Sequence, residues 1–154
     1  MSRYDWLLFL HVLGAFAVIA SVTFFWLVLL STWNVDRPVL GPVMARLTKP
    51  AEIVVMVGGI MVLVFGIWLT FDVDGYGLGD GWILGGLVMW AVATATGILA
   101  GKEYTPAKDI PQSEEPSPEL LAIMRSRKGL VLHSISTAAV LIALILMIFK
   151  PGAP

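Results

Sequence analysis

Four long stretches of the chain carry no Lys, Arg, Asp or Glu: residues 6–33, 53–71, 82–100 and 130–149. Charge is confined to the ends and to the three connections. Three of the stretches match the ~20 residues that cross a hydrocarbon core as a helix, and the first is longer, so it tilts or projects. Lipid offers no partner for a backbone N–H or C=O, so each stretch should be helical. The pattern predicts helices over about 5–33, 51–72, 81–101 and 129–149. The expected fold is an all-α membrane protein, an antiparallel four-helix transmembrane bundle. It forms a single integral membrane domain over 1–154, without internal repeats. The first stretch is too long for the apolar region of a cleavable signal, and no small-residue cleavage site closes it.

The connections differ in kind. In RPVLGPVMARLTKP, a short amphipathic stretch over 43–48 reads as a turn of helix at the headgroups. Pro50 and Glu52 then suit the first turn of the second helix. DVDGYGLGDG is a tight, glycine-rich hairpin. KEYTPAKDIPQSEEPSP has the Pro and Glu content of an extended segment. Ser117 and Pro118 make a good helix start, which predicts a short helix over 118–128 before the fourth span.

The Lys and Arg residues set the orientation. Arg37, Arg46 and Lys49 lie in the first connection, and Lys102, Lys108, Arg125, Arg127 and Lys128 in the third. Only Arg3 and Lys150 lie on the other side. Both long loops, with the 118–128 helix, are therefore expected in the cytoplasm of a bacterial plasma-membrane protein, with both termini outside.

Composition agrees with this reading. The chain is 58% hydrophobic and 14% charged, against about 25% charged residues in soluble domains. A net charge of −1 and the lack of a basic stripe argue against a nucleic-acid partner. With no cysteine, disulfides, thiolate metal sites and iron–sulfur clusters are excluded. The bilayer is the first partner, and a membrane-protein partner or a second copy is a further expectation.

Small residues mark expected helix contacts: Gly58, Gly59 and Gly66; Gly85, Gly86, Ala91, Ala95 and Gly97; Ser134, Thr137 and Ala138. Trp6, Trp33, Trp68 and Trp82 lie near the ends of stretches, as an aromatic belt requires. Thr94 and Thr96 are expected to bond to their own backbone carbonyls.

Two histidines interrupt the apolar stretches. An ionisable side chain within the membrane is costly and points to a function. His11 lies about 9 Å below Asp5 at ~1.5 Å per residue, while His133 lies near the opposite boundary. One metal or haem cannot readily bridge them. Met89 matches the depth of His11, and Met56 that of His133, so His/Met ligation of haem b is conceivable at either level. Gly14, one turn on from His11, would give room for a flat cofactor. The alternative is that both histidines bond to neighbouring helices and bind nothing. Asp72, Asp74 and Asp80 around Gly77 partly follow a calcium loop, but Ile83 stands where the bidentate glutamate belongs. No catalytic constellation and no charged ion pathway is present in the sequence.

The opening YDWLLFLHVLGAF, with FGIWL and DGWIL around the acidic hairpin, resembles a bacterial family of predicted four-helix integral membrane proteins of unknown function, especially actinobacterial members. More distantly, a histidine in helix one of a small four-helix protein is similar to the copper-resistance D-type proteins and to the membrane protoporphyrinogen oxidase (HemJ-like) proteins, which bind haem b. The second resemblance implies a haem ligand at His11 alone. Two functions follow as expectations: a small haem-binding redox protein, or a cofactor-free accessory subunit of a larger, respiratory-type membrane complex. A transporter or channel would need a polar path that the sequence lacks.

The orientation is testable because the chain has no native cysteine to give background. Asp74→Cys is expected to react with an externally added, impermeant maleimide in intact cells. Ser113→Cys should react only after permeabilisation, and the reverse pattern would invert the topology.

Overall fold

The computed structural model describes residues 2–33, 40–108 and 117–152. Helix α1 runs Arg3–Trp33, α2 Leu40–Asp72, α3 Gly81–Tyr104, α4 Pro118–Met124 and α5 Arg127–Phe149, and a 3-10 turn, Thr105–Lys108, follows α3. Four spans are long and apolar enough to cross a membrane. Among the described residues there is no strand. The protein is an all-helical, four-span bundle.

The bundle consists of two antiparallel pairs, α1 with α2 and α3 with α5. In the first pair, Gly14 and Gly58 face each other at the crossing. A Cβ on Gly14 would lie 2.9 Å from the Gly58 carbonyl oxygen and 2.8 Å from the Met61 Cβ. A Cβ on Gly58 would lie 2.9 Å from the Gly14 carbonyl oxygen. In lipid, helices attract one another mainly by such close packing. An ion pair between Arg3 and Asp72 closes one end of this pair.

In the second pair, Gly85 packs against Leu146, Gly97 against Ser136, and Gly129 against the Tyr104 ring. Ser136 Oγ donates to the Ala93 carbonyl at 2.8 Å. Lys128 Nζ donates to Glu103 at 2.6 Å at the far end.

Several expectations are corrected. Residues 40–50 join α2 as one continuous helix, so Pro50 lies inside it and not in its first turn. Proline there removes the bond to the Arg46 carbonyl. The position is tolerable because Lys49 and Pro50 are exposed at the end of the span, where other partners are available. The short helix ends at Met124 and not at residue 128. Ser126 then starts α5, its side chain accepting from the Gly129 N–H at 3.2 Å.

Ala91, Ala95, Ser134 and Ala138 face outward. The contact face of α5 is instead Gly129, His133, Ser136 and Ala139. Trp6 and Trp68 are exposed near span ends, as a belt requires, but Trp82 is buried. Thr96 bonds to the Val92 carbonyl as expected, at 2.7 Å, whereas Thr94 is exposed. The side chain of Trp33 lies outside the described residues.

Gly14→Leu is expected to force α1 and α2 apart and to lower stability in micelles by about 1–3 kcal/mol, the usual cost of overpacking. Gly79→Ala, with nothing within 4 Å of its new methyl group, should leave the unfolding midpoint unchanged. Equal behaviour of the two variants would contradict the crossing described.

Candidate functional site

The two helix pairs touch each other sparingly, and space remains between them. Two tryptophans cross it. Trp90 of α3 donates from Nε1 to the Gly59 carbonyl of α2 at 3.1 Å. Trp26 of α1 donates from Nε1 to the Thr137 hydroxyl of α5 at 2.9 Å. Thr137 in turn donates to the His133 carbonyl at 2.8 Å. An indole N–H buried in an apolar medium requires an acceptor, so each ring is fixed in place.

Between the pairs lie two adjoining cavities of about 390 and 190 Å³. The larger is within the range of small-molecule sites, about 300–1,000 Å³. Both are mainly apolar, and His11, Trp90, Gly86 and Met147 line both. The larger one extends to Tyr4, Tyr76, Trp82 and Lys150 at the membrane boundary. The smaller extends toward mid-span, past Met89 and Ser136.

His11 lies where the cavities meet. Its Nδ1 is 3.0 Å from the Val62 carbonyl oxygen. A carbonyl only accepts, so the imidazole hydrogen is on Nδ1 and Nε2 keeps its lone pair. That carbonyl is on α2, one turn before Gly66. A Cβ on Gly66 would come within 2.8 Å of the ring Cε1 and 3.0 Å of Nδ1. Gly66 therefore supplies the bed on which the ring rests. Gly14 does not give room for a cofactor, because it is occupied by the crossing with Gly58. The cavity glycines are Gly59, Gly66 and Gly86.

His11 and Met89 are brought to the same cavity. His133 and Met56 are arranged differently. His133 is buried, with its ring centroid 5.0 Å from that of Trp26 and 6.2 Å from that of Phe25. Its Nε2 has no hydrogen-bond partner. Met56 is 59% exposed on the outer face of α2. His133 packs against α1 some 14 residues beyond His11, or about 21 Å along the helix, so the two imidazoles belong to separate levels.

The three aspartates do not converge. Asp72 pairs with Arg3, and Asp80 accepts from the Gly77 N–H at 3.1 Å. Asp74 is exposed in the hairpin. Among the described residues, no three His, Cys, Asp or Glu side chains gather as a metal site.

The residues at the cavity fit a haem in their donor chemistry. A neutral imidazole held by an Nδ1–H to a backbone carbonyl presents Nε2 to a metal, the arrangement that fixes metal-binding histidines. A thioether and an imidazole both suit haem iron. The bridging roles of Trp26 and Trp90 were not apparent from the helix pattern. Their signal was position: both lie well inside the apolar stretches, where an indole N–H has only protein to bond.

The architecture and this interhelical cavity define a polytopic, all-α integral membrane protein. Residues 5–151 match the model of the predicted integral membrane protein family DUF2269, and the chain belongs to that family. No curated protein and no solved structure matches it.

Trp26→Phe and Trp90→Phe each remove one bond between the pairs. Each should cost about 0.6–2 kcal/mol, the range for hydrogen bonds between membrane helices. The bonds join different helices, so the losses should add within about 0.5 kcal/mol in the double variant. Denaturant titration in micelles measures all three, and no loss in either single variant would remove its bond from the account.

Proposed function

We propose that the protein is a small redox protein of the bacterial plasma membrane that holds haem b through His11, with Met89 as the partner ligand. One observation carries this reading: His11 is oriented by the Val62 carbonyl so that Nε2 is left for a ligand beside an apolar cavity. An imidazole serving only to join helices would be satisfied by that bond and would need neither the glycine bed nor the space. Gly66 sets the ring orientation, Met89 offers a second soft donor, and the lining is mainly apolar. A haem bound there would supply one-electron redox chemistry. The Val62 carbonyl would hold the ligand histidine. In this reading both termini lie outside, and the site is nearer the outer leaflet.

Absorption spectra of the detergent-purified protein, produced with ample haem and recorded oxidised and dithionite-reduced, test the proposal. A Soret band that sharpens on reduction is expected. It should disappear in His11→Ala, shift in Met89→Leu and persist in His133→Ala. Gly66→Ala should weaken haem retention by displacing the imidazole. A featureless spectrum, or one unchanged by His11→Ala, would overturn the assignment.

A further inference from the structure

The larger cavity ends, where the spans end, in a group of hydrogen-bond donors that includes one unpartnered indole N–H. Lys150 is the residue after α5, and its backbone is left-handed with φ 41°. That conformation is unfavourable for a residue with a Cβ. Here it accompanies a side chain that lines the cavity. Lys150 Nζ donates to the Tyr76 hydroxyl oxygen at 3.1 Å. It lies 4.9 Å from the centre of the Tyr76 ring and 5.4 Å from that of Trp82.

An ammonium has no lone pair, so the phenol accepts from Lys150 and retains its own hydrogen to donate. Trp82 is 6% exposed, and its buried Nε1–H has no acceptor. The two rings meet edge to face at 5.2 Å. The hairpin carboxylates are engaged elsewhere or exposed: Asp72 with Arg3, Asp80 with the Gly77 N–H, Asp74 outward. Three donors, one of them cationic, therefore stand at one end of an apolar cavity without an anion among the described residues. The unpaired, buried Trp82 N–H is costly and calls for an acceptor.

We infer that Lys150, Tyr76 and Trp82 receive the carboxylate of an apolar molecule whose body lies in the cavity below. A carboxylate has two oxygens and about four acceptor positions, enough for all three donors. A charge-assisted bond from an ammonium is stronger than a neutral one. The carboxylate has two possible sources, a long-chain fatty acid and the acid side arms of a haem. The donor group does not include His11, so the inference holds whichever guest is present.

The probe is cis-parinaric acid, a fluorescent fatty acid, titrated into the full-length protein in non-ionic micelles. The corresponding alcohol is the uncharged control, and haemin is titrated in parallel. If the guest is a fatty acid, parinaric acid should saturate the protein, weaken at least tenfold in Lys150→Gln, and recover to within threefold in Lys150→Arg. The alcohol should not distinguish the variants, and His133→Ala, at a residue that lines neither cavity, should bind parinaric acid as the unchanged protein does. If the guest is haem alone, parinaric acid should not saturate, and haemin affinity should fall in Lys150→Gln and recover in Lys150→Arg. A lost haem spectrum with Lys150-dependent parinaric acid binding would sink the haem reading and keep this one. The inference is overturned if neither ligand depends on Lys150. It is also overturned if phosphatidylglycerol displaces parinaric acid as readily as oleate does, which would make the head group a lipid phosphate.

Discussion

The approach of α1 to α2 at Gly14 and Gly58 sets the geometry of the cavity. There each backbone lies within van der Waals reach of the other, closer than any pair of larger residues would permit. Less than one turn before Gly14 on α1, His11 can therefore reach a carbonyl of α2 while its ring rests on Gly66. A wider separation would carry His11 away from Val62 and leave its tautomer unfixed. The packing contact thus determines which imidazole nitrogen is free, although neither glycine touches the cavity.

The second constraint is the lack of competing solvent. In water, Trp26 and Trp90 could satisfy their N–H groups anywhere. In a membrane interior they must find protein acceptors. Each finds one on the opposite helix pair, and the two indoles link the two surfaces. Hydrophobic attraction cannot close that space in lipid as it would in water, because the tails are as apolar as the cavity wall. A mainly apolar cavity between helix pairs is therefore a stable feature here.

The four spans were legible because charge is confined to the connections, a strong signal over such lengths. The pairing was less so. Gly58 and Gly66 announced close contacts, but nothing local showed that Gly14 belonged to the crossing and not to the His11 site. Ala91, Ala95, Ser134 and Ala138 looked equivalent to the glycines and face outward instead. Small size permits close approach without requiring it. The level of Met89 relative to His11 followed from counting residues inward from the same side of the membrane, and both line one cavity. The same counting applied to Met56, yet its direction around the helix axis was unknown, and it points outward. Depth is encoded by rise per residue, whereas azimuth depends on which neighbours a helix chooses. Lys150 was read only as one of two cations on its side of the membrane. Its left-handed backbone, which accompanies its position over the cavity, has no signature in the sequence.

The division into two helix pairs has a consequence for biogenesis. The pair α1–α2 is complete before α3 emerges during synthesis, and its main contacts are internal. The interhelical chamber exists only once α5 has joined α3 and the tryptophans have bridged the halves. The proposed guest could therefore be enclosed only once the last helix is in place.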